Sequence, residues 1–531
     1  MIRKFACLIL LGVLPLTFGV VPETGKANLQ RLVRIPFSVP ELDLACDVQT
    51  GFALFAGNGR STRSELSSLA EKLREHPQEI SAFLKFGRWQ RAAGLEDKAK
   101  LSFESAEVIA QRKLQTAPLD WALWKQLGQA RWSLGKWDPA EYAFRQATRV
   151  SSISNAAPWM ALGQFLQAKA GRSIWPAAKI SFAHFSPARF EAALHGHSGS
   201  WSDWNESEKS LQEADVCFAQ TAKLGASDAE IRFQLALARS YQRFLIELLR
   251  EHRAKHPDAA VALEAFFSNE ALIELEQAER LKPENVRIAA TRAFWSALVY
   301  SEKRGLPGSL NWNRLPEACR SSILGTLSRL EQIGENGEAA AAAEAIECKG
   351  LLQAVVLQDL GGAAGTLQRA AQLDSSRDRP FDEAVLLLNK MGEYDRLLDF
   401  VEARVKPKPA AYPLVLLAEA QGQLNWLDKA QGTALVAVAL EPENFAGHLA
   451  LASLFLKEAD QPASLLQAGV HLQKAQEIKP KNRDDLIELA LAMCLYHAFR
   501  DNMAEAKKLL KTVLEADRDN EYAQRISAVL R

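Results

Sequence analysis

The chain has no surplus charge of either sign: across 531 residues, 64 Lys and Arg stand against 64 Asp and Glu. Without a basic block it lacks the electrostatic footprint that binding to a phosphate backbone requires, which argues against DNA and RNA as partners. Cysteine is scarce. Cys7, Cys46, Cys217, Cys319, Cys348 and Cys494 contain no C-x-x-C pair, so their spacing supports neither a disulfide framework nor a zinc site. They read as small buried apolar residues, with Cys319 and Cys348 the one pair that neighbouring helices could join if the chain is oxidised on export. Catalytic signatures are also missing. There is no Gly-x-Ser-x-Gly, no phosphate-cradling glycine loop and no clustered carboxylate motif, so no catalytic residue and no cofactor is expected. After Val21 no stretch is long and apolar enough to cross a bilayer.

The first residues are of a different kind. Arg3 and Lys4 form a basic head before the uncharged run from Phe5 to Val21, which reads as an export signal. No small-residue cleavage site follows, so residues 1–21 are either a cleaved signal peptide or a retained membrane anchor. Both place the remainder outside the cytoplasm, in the periplasm or cell envelope if the source is bacterial.

What fills the rest of the chain is repetition. Leu414-x-x-Leu417-Ala418, Gly422, Ala430, Ala434 and Ala437 lead to Leu440-Glu441-Pro442-Glu443-Asn444. The same order then recurs as His448-Leu449-x-Leu451-Ala452, Ala468, Leu472, Ala475 and Ile478-Lys479-Pro480-Lys481-Asn482. Leu281-Lys282-Pro283-Glu284-Asn285 repeats the closing phrase upstream, after Ala271, Leu275 and Ala278. Small residues at helical spacing let two helices approach, bulky ones fill the seam, and proline stops the second helix.

Trp124-x-x-Leu127-Gly128, Gly135, Ala140, Phe144 and Ala147 make the fullest statement of the pattern. With a period of about 34 residues it resembles the tetratricopeptide repeat (TPR) family. The resemblance implies an all-α fold: an α-solenoid, a right-handed superhelix of about ten TPR-like antiparallel helix pairs, with two irregular insertions. Such an array needs no single globular core, which suits a chain of this length.

Taken in order, residues 22–63 are irregular, a lead segment expected to pack on the first helices. Residues 64–172 hold the N-terminal repeats. Residues 173–205 form an insertion with His184, His195, His197, Trp201 and Trp204; residues 206–333 are divergent helical repeats with a second insertion at 305–316. Gly334-Glu335-Asn336-Gly337 reads as a hinge at 334–338, because glycine and asparagine tolerate left-handed backbone and pack little. Residues 339–531 are the C-terminal repeats.

The family resemblance implies that the first helix of each pair lines a groove that takes a peptide or a helix of another protein. On that register Arg88, Arg91, Lys125, Gln129, Trp132, Gln164 and Gln167 form a polar, basic strip suited to an acidic segment, through charge-assisted hydrogen bonds and one indole face. The alternative is a solvated helix face. The two-carboxylate clamp of chaperone-binding family members is not matched, since Leu84, Arg88 and Gln126 occupy its places. Tyr412, Glu419, Gln423, Ser453 and Lys457 mark a second, less charged surface. His195 and His197 near Asp203 lack a metal motif and read as loop residues, so no metal is expected. Trp201 and Trp204 either bury the insertion against the solenoid or stack on a glycan.

The expected function is therefore an exported, non-enzymatic TPR scaffold that binds a partner protein or peptide, acidic in character, within a bacterial envelope or secretion assembly, with a membrane tether through residues 5–21 if the signal is retained. Two alternatives stand beside it. One is an α/α-helical carbohydrate-binding protein or glycan-active enzyme using residues 173–205; the other is a structural subunit that stacks end to end.

Overall fold

The computed structural model describes Gln30, Val33 and residues 63–531, apart from 93–95, 153, 175–200, 254–267, 302–309, 408, 479–482, 518–519 and 531. All regular structure among the described residues is helical, and the chain divides into two units, residues 40–391 and residues 392–531 with residues 1–39.

In the first unit, α1 (Arg63–Glu75) precedes five helix pairs: α2 (Ile80–Ala92) and α3 (Glu96–Thr116), α4 (Trp121–Ser133) and α5 (Trp137–Val150), α6 (Ala157–Ile174) and α7 (Trp201–Leu224), α8 (Ala229–Arg253) and α9 (Asn269–Leu281), α10 (Val286–Val299) and α11 (Glu317–Asn336). A sixth pair, α12 (Ala339–Leu352) and α13 (Leu360–Leu373), is followed by α14 (Asp378–Met391). The second unit contains α15 (Tyr394–Val405), α16 (Ala411–Gln423), α17 (Leu427–Leu440), α18 (Phe445–Leu456), α19 (Pro462–Ile478), α20 (Arg483–Phe499), α21 (Met503–Ala516) and α22 (Glu521–Leu530).

Local chemistry sets the helix boundaries. α9 and α17 end just before Pro283 and Pro442, and the asparagine two residues on caps the next helix: Asn285 accepts from the Arg287 and Ile288 amides, and Asn444 from the Gly447 amide. The recurring phrase thus stops one helix and starts another. Within pairs the first helix closes on a left-handed residue, Gly135 (φ 72°) after α4, Asn425 (φ 62°) after α16 and Asp501 (φ 59°) after α20. After α4 the Lys136 amide reaches back to the Arg131 carbonyl at 2.9 Å, the six-to-one bond that ends a helix cleanly.

The core lies between paired helices. Phe103, Phe144 and Phe218 are fully buried, and the stripe Ala430, Ala434 and Ala437 is wholly removed from solvent. Cys319 and Cys348 stay separate buried thiols; Cys319 Sγ meets Ser296 Oγ at 3.3 Å, so the pairing considered from sequence is not formed.

Another expectation changes. α11 runs on through Asn336, and a side chain at Gly334 would collide with Ile346, so this glycine is required for close packing where the sequence suggested a hinge; the division between units falls at 391/392 instead. α12 ends at Leu352 in a π turn, Gln353–Leu357, after which Gln358 (φ 58°) donates to the Leu310 carbonyl of the second insertion at 2.7 Å.

The lead segment does not meet the first helices where it is described. Val33 is buried in the core of the second unit among residues of α18–α22, and Gln30 donates to the Lys457 carbonyl.

Candidate functional site

The first helices of the N-terminal pairs carry the expected strip, and the structure sorts its residues into two groups. Arg91 is committed: it forks onto Glu96 (3.0 and 2.8 Å), donates to the Ser133 carbonyl (2.8 Å) and lies over Phe103. Trp132 packs edge-on against Phe144 and Phe165. Gln167 is 3% exposed and donates to the Ala238 carbonyl and Gln242 Oε1, joining successive repeats. These three hold the solenoid together.

Arg88 and Lys125 remain, with half-buried Gln129 and Gln164 beside them in register. Arg88 donates only to the Leu84 carbonyl of its own helix (3.3 Å), and Lys125 lies over the Trp121 ring at 5.2 Å. No carboxylate among the described residues pairs with either. Arg88 stays exposed to solvent and Lys125 is half-buried, and desolvation by the protein around them lowers both pKa values.

That absence of a carboxylate partner among the described residues contrasts with twelve other cations of the unit. Six carboxylates each sit between two bases: Glu107 with Arg131 and Lys136, Glu141 with Arg145 and Lys169, Glu274 with Arg232 and Arg239, Glu279 with Arg292 and Arg329, Glu331 with Lys349 and Arg369, and Glu347 with Arg377 and Arg379. Burial alone would raise the pKa of Glu107, Glu141, Glu279 and Glu331, but the paired cations hold all four below the usual carboxylate range. A cleft of about 440 Å³ beside Trp137, Asp138, Lys169 and Glu206 belongs to this bracing, since Lys169 bridges Glu141 and Glu206.

In the C-terminal repeats the less charged surface is only partly accessible: Glu419 and Ser453 are buried, and Tyr412, Gln423 and Lys457 are half-buried. α7 begins at Trp201, but the side chains of Trp201 and Trp204 lie outside the described residues, as do His184, His195 and His197. One pair there escaped sequence reading: His448 Nδ1 and His471 Nδ1 are 3.0 Å apart, and His448 Nε2 lies 3.0 Å from the Pro442 carbonyl. Donation from Nε2 to that carbonyl leaves His448 Nδ1 to accept from His471 Nδ1–H, so the geometry needs His448 neutral, while burial favours the neutral form of both.

Burial lowers the pKa of both, His471 to about 4. The stability this supports is full above the unfolded histidine value of about 6.5 and declines as pH falls from there towards 4. The second unit should therefore lose about 2 kcal/mol from His471 by pH 5, and a His471→Gln variant should show a flatter fall in urea midpoint between pH 7.5 and 5. Equal slopes would remove the histidine pair as the cause.

One packing relation recurs along the array. A Cβ placed on Gly87 would lie 2.6 Å from the Phe103 ring, one on Gly128 2.9 Å from Phe144, and one on Gly163 2.6 Å from Phe218. In three successive pairs a glycine of the first helix thus receives an aromatic of the second, at the places where Trp124-x-x-Leu127-Gly128 and Phe144 stand in the fullest repeat. The fold is that of a tetratricopeptide-repeat array. No family model and no curated protein matches the sequence. Among solved structures, yeast Tom70 is similar at 15% identity and a TM-score of 0.36, over 87% of this chain and 90% of that one. The C-terminal part of a TPR repeat-containing protein from Cytophaga hutchinsonii gives 18% identity and 0.32, over 50% and 97%. YrrB, described as a TPR protein with an unusual peptide-binding site, gives 18% and 0.26, over 38% and 97%. The TPR assignment rests on the repeat geometry of this chain.

Proposed function

We propose that this TPR array is an exported, non-enzymatic scaffold that holds an acidic segment of a partner protein against the first helices of its N-terminal repeats, within a bacterial envelope or secretion assembly. The observation that carries the reading is that no carboxylate among the described residues pairs with Arg88 or Lys125, in a unit where six carboxylates each hold two cations. Arg88, exposed, and Lys125, half-buried, each have room to form a charge-assisted bond with an incoming carboxylate. Gln129 and Gln164 add neutral donors and acceptors in the same register. Export follows from the basic head and apolar run of residues 1–21.

The test is an acidic peptide titrated against wild type and the Arg88→Glu/Lys125→Glu double variant at low and moderate salt. Losing two charge-assisted contacts should weaken binding at least tenfold, about 1.4 kcal/mol or more, and should flatten the salt dependence. An unchanged affinity would remove the cationic strip as the site. Arg91→Ala is the informative control, because its effect should appear in stability instead.

A further inference from the structure

A second surface stands apart from the cationic strip and rests on different observations. The inward register positions that hold Lys125, Gln129, Trp132 and Ser133 in α4 hold Leu449, Ser453, Leu456 and Lys457 in α18, and Leu491, Leu495, Ala498 and Phe499 in α20. The character of the face has changed from polar to apolar. An open groove would leave such residues wet, at the cost that exposed apolar area carries, yet Leu449, Leu456, Leu491, Leu495, Ala498 and Phe499 are buried.

Part of what they are buried with comes from the far end of the chain. Val33 is 4% exposed and belongs to the same apolar cluster. Its amide donates to the Gln30 carbonyl at 3.2 Å. Gln30 uses its side-chain amide to donate to the Lys457 carbonyl at 2.7 Å and to Asp460 Oδ1 at 3.1 Å. The Lys457 carbonyl lies just past the end of α18, where helix carbonyls have no partner within the helix. An amide prong therefore caps a helix end while an apolar prong enters the core beside it.

We propose that the inner face of α18 and α20 is a peptide-binding trough whose resident ligand is this chain's own segment around Gln30–Val33. The trough selects an amide side chain followed three residues later by a β-branched apolar one. Tethering makes the occupancy intramolecular, so an outside peptide of the same chemistry binds only by displacing the segment. The N-terminal segment acts as a built-in competitor, and its release opens a site that the cationic strip does not supply.

The experiment uses the full chain and a fluorescein-labelled synthetic peptide with the sequence of residues 26–38. A Gln30→Ala/Val33→Asp variant should bind the peptide at least tenfold more tightly than wild type, whose trough is filled. Equal affinity for both, or no binding to a variant with unchanged circular dichroism, overturns the proposal. A second readout covers a variant of altered stability: alkylation of buried Cys494, followed by peptide mapping, should accelerate in the variant and return towards the wild-type rate when unlabelled peptide is added, with Cys348 as the internal reference. Failure of the peptide to restore protection counts against the trough. Wild type sedimenting as a dimer that the variant abolishes would assign the segment to a neighbouring copy and overturn the intramolecular seating.

Discussion

Replacing Glu347 with alanine should cost the first unit about 3 kcal/mol, the lower part of the range for breaking a buried ion pair. Glu347 is 2% exposed, in the middle of α12, and receives Arg377 and Arg379 from the turn before α14 and from α14 itself. Taking away the carboxylate leaves two guanidinium groups crowded together beside Cys348, with Glu383, 3.9 Å from Arg379, too distant to replace it fully. Their own side chains are 25% and 16% exposed, so water relieves part of the penalty. Glu347→Gln keeps an acceptor and the shape, and should lose roughly half as much. The urea midpoint of full-length protein gives the size of the effect, and amide exchange gives its place: protection should fall first in α12, α13 and α14, because stability in such arrays is passed between neighbours. A loss below about 0.5 kcal/mol would mean that the pair is no better than a surface one.

That prediction could not have been written from the sequence, and the reason is physical. The repeat was legible because its determinants are local: the spacing of Trp124, Leu127, Gly128, Ala140, Phe144 and Ala147 is set by helix pitch, and all but Trp124 are buried where the pattern put them. The bracing carboxylates obey no such spacing. Glu279 meets Arg292 and Arg329 across 13 and 50 residues, a separation fixed by loop lengths that periodicity does not encode. The same limit governs the binding strip. Register does not say what the next repeat places against a side chain, so Trp132 and Gln167, expected in the binding strip, are instead packed against Phe165 and Gln242. Arg88 and Lys125 met no carboxylate among the described residues. Gly334 misled for a related reason, since glycine serves both a loose turn and a close contact and only the opposing Ile346 distinguishes them. Val33 was misplaced because an isolated apolar residue in an aperiodic segment carries no address.

Glycine chemistry also supplies the sharpest test of the repeat itself. In the middle of a helix, alanine in place of glycine stabilises by up to about 1 kcal/mol when the new methyl group meets nothing, and Gly432 in α17 has no neighbour within 4 Å of such a Cβ. Gly432→Ala should therefore raise the unfolding midpoint. Gly163 in α6 offers the same gain in propensity, but its Cβ would fall 2.6 Å from Phe218 Cε1 and 3.2 Å from Cys217 Cβ, inside the buried seam. Overpacking there costs about 1 to 3 kcal/mol, so Gly163→Ala should be neutral or destabilising and Gly163→Val should lose about 3 kcal/mol. The signature is rescue. Phe218→Leu alone opens a cavity, yet combined with Gly163→Ala it makes room for the added methyl, and the double variant should be more stable than the sum of the two single changes by about 1 kcal/mol. Strict additivity would mean that the two helices do not depend on this contact. It would then remove the small-against-aromatic seam as the relation that sets the spacing of each pair, and with it the reason why the repeat has its alphabet.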